Sequence, residues 1–305
     1  LQPIADVMTR LQPSAVLVHG DTSSASMAAL AAFYQQIPVG HVEAGLRTND
    51  RYSPFPEEMN RSLIGRLANW HYAPTKGSAE ALYREGIAAS DVLVAGNSVI
   101  DAAHLAAKML DDGYAEPFVQ EQDLERRTAS RRLVLVTAHR RENWGAGLQE
   151  IASAVADMLD EQQDVFVVWP LHANPEVART VRAVFEARNV DASRLVLCQA
   201  LGYSALVWLL KKSWLVMTDS GGIQEEGAAF GTPVLVLRDN TERPELIEAG
   251  GGVLVGANRA NIVEWTRRLH QDAQLLHRMR HIDNPFGNGT TGLQIRAHLE
   301  AALAP

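Results

Sequence analysis

The chain has 305 residues, a formal net charge of −8 and one cysteine, Cys198. Acidity without a basic stripe argues against nucleic acid or an anionic membrane as partner, and a lone thiol excludes an internal disulfide. The length suits two cores better than one, no apolar run reaches the ~18 residues of a membrane span, and nothing reads as a signal peptide, so the expected address is cytoplasmic.

The chain opens on Leu1, and residues 4–11 have helical spacing with no cap in front, as in the middle of a domain. Residues 15–19 then read as a strand, 23–35 as a small-residue helix, 39–43 as a strand and 57–68 as a helix. A short strand at 71–73, a helix at 78–85 and a strand at 92–95 follow, with Asn97 or Ser98 capping the next helix. A polar stretch, 111–131, breaks the rhythm and marks the expected domain boundary.

Strands resume at 133–137, 165–169, 194–198, 215–217, 233–237 and 253–255, with helices between them and a stop at Gly231-Thr232-Pro233. Continuous β-branched runs alternating with helices predict parallel sheets built from βαβ units. The expectation is an α/β protein of two doubly wound, Rossmann-like domains facing a cleft. One is residues 1–112 with a returning helix at 291–305; the other is 113–290. Ligands of such sheets bind outside the carboxyl ends of the strands.

The most informative stretch is Thr218-Asp219-Ser220-Gly221-Gly222-Ile223-Gln224-Glu225-Glu226, which leaves a buried strand and opens a helix. Ser220, Gly221 and Gly222 suit a phosphate, because glycines let backbone N–H groups approach an anion at a helix N-terminus. Glu226, about one turn on, suits ribose hydroxyls. An ordinary tight turn with a serine cap is the alternative.

Other strand ends carry His19-Gly20-Asp21, His41-Val42-Glu43-Ala44-Gly45, His139-Arg140-Arg141-Glu142 and His172-Ala173-Asn174-Pro175, with Pro56-Glu57-Glu58 a loop later. One half thus offers carboxylates and the other a phosphate cradle, a division that suits a sugar nucleotide. Each residue has a plainer reading. Asp21 could cap the helix after it, Glu57 could complement a helix dipole, and His139 could be a satisfied strand-end histidine. Residues 238–244 could be a solvated loop, and Cys198 a buried small hydrophobe. His19, Asp21, His41 and Glu43 lack the spacing of a zinc motif, and Ser220 lacks the flanking glycines of a nucleophile elbow.

Together these segments resemble the non-hydrolysing UDP-N-acetylglucosamine 2-epimerases, members of the glycosyltransferase-B-like superfamily. The resemblance runs through Val18-His19-Gly20-Asp21-Thr22, residues 41–48, 52–61, 96–101, 139–142, 218–226 and 238–245, and Asn284-Pro285-Phe286-Gly287-Asn288-Gly289. It implies interconversion of UDP-GlcNAc and UDP-ManNAc, for surface polysaccharide precursors, by elimination of UDP to a glycal and re-addition. It also implies that Asp21, Glu43 and Glu57 are the catalytic carboxylates and that His139 lies near the diphosphate and sugar. Ser220, Gly221, Gly222, Glu226 and Arg243 would hold UDP. Leu201 and Leu206 stand where relatives can carry Gln and Phe beside the uridine, and they are expected to offer backbone contacts at most.

The family needs no nicotinamide cofactor, so none is expected, and it forms homodimers; some bacterial members bind a second, allosteric UDP-GlcNAc. Its first strand and Gly-Thr-Arg-Pro-Glu type loop find no match here. The expected first domain is therefore incomplete, and the chain a fragment or a truncated form. A hydrolysing epimerase, a transferase of the same superfamily, a UDP-binding protein without turnover, and a related UDP-sugar substrate stay open as alternatives.

Overall fold

The computed structural model describes residues 1–304. Two compact units divide the chain: Leu1–Asp101 with the closing segment from Pro285, and Ala102–Asn284.

In the first unit, α1 (Gln2–Leu11), β1 (Val16–His19), α2 (Ser23–Tyr34), β2 (Val39–Val42), α3 (Glu57–Leu67), β3 (Trp70–Ala73), α4 (Lys76–Arg84) and β4 (Val92–Val94) follow in order. The strands pair in parallel in the sequence β1-β2-β3-β4. Helix α2 buries Ala25, Ala29, Ala31 and Ala32 with Met8 of α1 and Ile64 of α3, small side chains that bring its backbone close to the sheet. Thr22, not Asp21, caps α2: its hydroxyl accepts from the Ala25 N–H at 3.1 Å. The capping reading of Asp21 is thereby corrected, and its carboxylate is left for other partners.

Helix α5 (Ser98–Asp111) starts in this unit and runs into the next, and Asn97 caps it, its Oδ1 accepting from Val99 N–H at 3.1 Å.

The second unit continues with α6 (Pro117–Glu121), α7 (Leu124–Thr128), β5 (Arg132–Thr137), α8 (Ala146–Glu161), β6 (Val165–Pro170), α9 (Pro175–Ala187), β7 (Leu195–Cys198) and α10 (Tyr203–Lys212). It ends with β8 (Leu215–Thr218), α11 (Gly221–Ala229), β9 (Val234–Val236), α12 (Pro244–Glu248), β10 (Gly252–Leu254), α13 (Arg259–Gln271) and α14 (Ala273–Arg280). The polar stretch 111–131 thus carries two short helices, α6 and α7. Its parallel sheet has the order β10-β9-β8-β5-β6-β7. β5, β6 and β8 are buried along nearly their whole length, which explains their continuous apolar sequences. The chain winds outward from β5 through β6 to β7, then crosses back to β8 beside β5. Strand order therefore reverses between β5 and β8, and the loops after these strands part there, where such sheets bind ligands.

The chain returns to the first unit with α15 (Thr291–Ala302). Tyr72 packs with Ile295 of α15, while the next residue, Ala73, packs with Ala79 and Leu82 of α4. Successive strand side chains point to opposite faces, so helices cover both sides of this sheet. The α/β fold of two parallel, doubly wound sheets expected from the sequence is the one found.

Candidate functional site

In the first unit Asp21 follows β1 and Glu43 follows β2, and because these strands pair in parallel both carboxylates leave neighbouring carboxyl ends. Glu57 opens α3. Asn60 and Arg61, three and four residues on, share its face. The Asn60 Nδ2 donates to the Asp21 backbone oxygen at 2.8 Å, and the Arg61 guanidinium pairs with the Asp21 carboxylate at 2.9 Å. The Asp21 carboxyl is raised above its usual range: burial is the largest cause, Arg61 opposes it, and the charges of Glu43 and Glu57 add to it. Asp21 therefore lies within the electrostatic reach of the other two expected carboxylates.

Glu43 has φ 65°, a left-handed conformation that costs a non-glycine residue energy and marks sites held by their surroundings. Its Oε1 accepts from Asn97 Nδ2 at 3.2 Å, and its Oε2 lies 3.7 Å from His19 Nε2. Gly45, two residues on, has φ +90°, and a Cβ there would stand 2.2 Å from the Ser78 carbonyl oxygen, so only glycine fits. Glu58, which follows Glu57 in α3, sets its carboxylate 3.5 Å from the Arg61 guanidinium. It is buried and accepts from the Thr48 and Asn49 amides at 3.1 and 2.9 Å, tying the loop after β2 to α3. Among the described residues no group of three or more His, Cys, Asp or Glu is arranged to hold a metal ion.

In the second unit the reversal point is organised by Asp219. This fully buried carboxylate accepts from the His139 and Arg140 amides and from Asn143 Nδ2, each at 2.9 Å. It also meets His139 Nδ1 at 3.2 Å. The Thr137 and Thr218 hydroxyls, at the ends of β5 and β8, are 2.6 Å apart. The loop carrying His139 is thereby fixed against the start of α11.

Ser220 occupies the position before α11, but its side chain makes no capping hydrogen bond. The serine-cap reading is corrected: the helix start at Gly221 and Gly222 has no side-chain acceptor of its own, and its N–H groups and dipole favour an anion. Arg243 pairs with Glu225, and its guanidinium carbon lies 3.9 Å from where a Cβ on Gly221 would stand. Glu226 is 5% exposed and bonded to the Tyr203 hydroxyl; burial raises its carboxyl despite that bond.

The 238–244 loop is more than a solvated surface. Arg238 is 7% exposed and pairs with Glu142 and Glu242, both at 2.8 Å, while Arg140 lies 3.6 Å from Glu242. Burial would raise Glu242, but the bond from Arg238 and the charges of Arg140 and Arg238 prevail and bring it to about 2.

The ring of His139 stacks on that of His172, centroids 6.5 Å apart. Cys198 is half-buried rather than a core residue. It ends β7 and, with His172, Gln199 and Ala200, lines a cavity of about 520 Å3; burial pushes its thiol up to about 11. Leu201 follows that cavity wall, and the Leu206 amide donates to the Gly202 oxygen at 3.1 Å in the first turn of α10.

Sequence reasoning assigned no site role to Arg61, Asn60 or Asp219, and gave Asn97 as a helix cap without its contact to Glu43. The helical offsets 57, 60 and 61 were a readable signal for the first two; the partners of Asn97 and Asp219 are far off in sequence and left none.

A family model described as UDP-N-acetylglucosamine 2-epimerase matches residues 1–300. The UDP-N-acetylglucosamine 2-epimerase of Escherichia coli K12 is 43% identical over 298 residues, an alignment covering 95% of this chain and 76% of that protein. Among solved structures, an S. aureus MnaA co-structure with UDP superposes with TM-score 0.88 at 41% identity, covering 99% of this chain and 79% of that one. The UDP-GlcNAc 2-epimerase of Neisseria meningitidis bound to UDP-GlcNAc superposes with TM-score 0.86 at 40% identity, covering 98% and 80%.

Proposed function

The chain belongs to the UDP-N-acetylglucosamine 2-epimerase family, a family of isomerases, and from that membership we propose that it interconverts UDP-GlcNAc and UDP-ManNAc by eliminating UDP and adding it back. The observation that carries the proposal is Asp21: a half-buried carboxyl raised above its ordinary range, within the field of Glu43 and Glu57 and in contact with Arg61.

The chemistry asks for such a group. The C2 proton of the sugar is weakly acidic, so removal and return at that carbon alone are slow. Breaking the C1–oxygen bond solves this, because the electron pair leaves with UDP as C2 gives its proton to a carboxylate and a C1–C2 double bond forms. UDP then re-attacks C1 and a proton reaches the other face of C2. One base and one acid are required, and a raised Asp21 carboxyl beside two further carboxylates offers groups for both roles. We assign proton transfer to Asp21, Glu43 and Glu57. Retention of UDP falls to the second unit: the α11 start at Ser220, Gly221 and Gly222, with Arg243 and His139 for the diphosphate and Glu226 for the ribose. Leu201 and Leu206 fall on the uridine side in the same reading.

The same proposal carries a homodimer, a cytoplasmic address and a part in making surface polysaccharide precursors. Among the described residues no helix is long and apolar enough to cross a membrane.

Proton NMR of the chain with UDP-GlcNAc in deuterated water tests it. Deuterium at C2 with growth of UDP-ManNAc is the expected result. Free ManNAc with UDP would replace the proposal by a hydrolysing reaction, and saturable UDP binding without exchange would replace it by a binding function.

A further inference from the structure

Strand β2 does more than deliver Glu43. It grips the preceding strand end through both polar groups of one residue. The Gly20 N–H donates to the Val42 oxygen at 3.0 Å, and the Gly20 oxygen meets His41 Nε2 at 2.9 Å. A carbonyl only accepts, so Nε2 carries the proton and Nδ1 the lone pair. The ring is 1% exposed, and Nδ1 is buried with no hydrogen-bond partner. A second proton would have nothing to bind.

Gly20 has φ +70°, and a Cβ there would stand 3.3 Å from Glu43 Oε2, so the turn runs close against that carboxylate. The Gly20 carbonyl shares a rigid peptide plane with the amide of Asp21. Whatever fixes that carbonyl fixes the direction in which Asp21 leaves the strand. Asn60 then holds the Asp21 oxygen and Arg61 the carboxylate.

We propose that His41 is a positioning residue for the epimerisation: its Nε2–H locks the Gly20–Asp21 peptide, so that one strand sets both the Asp21 and the Glu43 carboxylates. The inference rests on the role given to Asp21 above. The ring's surroundings agree with it. Burial, the largest influence, lowers His41 to about 4; the bond to Gly20 opposes this, and His71 on β3, Arg47 and His19 add to it. His41 stays neutral while the enzyme works, so it holds a neighbour in place without passing a proton.

Two variants and two NMR readouts test this. His41→Leu removes the donor; His41→Gln places an amide N–H at similar reach. In His41→Leu kcat should fall by about 100-fold, with KM and UDP affinity near the parent values. His41→Gln should recover at least about tenfold of that loss. The Asp21 carboxyl, followed by 13C NMR, should titrate nearer the ordinary carboxylate range in His41→Leu and stay raised in His41→Gln. Parent turnover in His41→Leu, or equal impairment of the two variants, would overturn the proposal. So would 15N spectra of the parent placing the ring proton on Nδ1, a readout that serves even where His41→Leu does not fold. Should the parent itself show no C2 exchange, the epimerase reading fails, and the Asp21 titrations and the 15N spectrum still decide whether His41 holds the peptide.

Discussion

The Asp219 carboxylate takes His139 twice, through its backbone N–H at 2.9 Å and through Nδ1 at 3.2 Å. The first contact fixes where the loop after β5 begins, and the second sets the ring, leaving Nε2 as the outward nitrogen of a side chain that is 46% exposed. A buried charge that satisfies several N–H groups is costly to remove. Asp219→Ala leaves the His139 and Arg140 amides and the Asn143 amide without this acceptor. It should lower unfolding free energy by about 3 kcal/mol in urea titrations and weaken UDP binding by calorimetry.

Asp21→Asn keeps the size of the side chain and removes its proton chemistry. Turnover should fall by about a thousandfold while UDP affinity is unchanged, read by C2 deuterium exchange and by calorimetry. Near-normal exchange would remove Asp21 from the reaction. The substitution should also change acid behaviour in a known direction. A carboxyl raised in the folded state binds its proton more tightly there, so its ionisation costs stability as pH rises from 3.8, its ordinary value, through the raised one. The variant lacks that loss.

His41 works in the opposite direction over a neighbouring window. Its affinity falls from 6.5 to about 4 on folding, so the unfolded chain takes up the proton first. Stability should be complete above pH 6.5 and drain away as pH falls toward 4, by up to about 3 kcal/mol for this one ring. His41→Gln should flatten that slope in denaturation curves collected between these pH values.

Gly45→Ala tests the turn after Glu43. The added methyl would meet the Ser78 carbonyl oxygen at 2.2 Å, with φ +90° adding backbone strain. A backbone oxygen inside helix α4 cannot step aside, and a loss above about 3 kcal/mol is expected in thermal unfolding. Ordinary stability would mean that the turn relaxes.

Ser220→Ala separates a cap from a ligand contact. Because the Ser220 side chain makes no capping bond, stability should change by less than about 0.5 kcal/mol. UDP affinity should nevertheless fall by about tenfold if the hydroxyl meets the diphosphate. Calorimetry and urea titration read the two effects separately.

The architecture was legible because its signals are local. β5, β6 and β8 are buried on both faces and must be apolar throughout, and the glycine pair after β8 needs only its neighbours to be understood. What escaped was tertiary. Asp219 stood inside the most informative motif, yet its partner amides lie 80 and 79 residues away, at no spacing that a pattern can carry. Capping was misread at both strand ends for one reason: Asp21, Thr22 and Ser220 are all good caps by type, and only geometry shows which side chain folds back. Cys198 looked apolar by its neighbours, but it closes its strand beside a cavity.

Helix α3 behaves as a ruler. Glu57 and Arg61 act on Asp21, Asn60 holds its backbone, and Glu58 anchors the loop after β2, all within five consecutive positions. Each added residue turns a helix by about 100°, so one insertion among these positions would swing Asn60 and Arg61 away from Asp21 without changing a single side chain. Identity can drift along the outer face of this helix, whereas the count of residues in its first turn cannot; to an engineer, that turn is closed to insertion and open to substitution only on its solvent side.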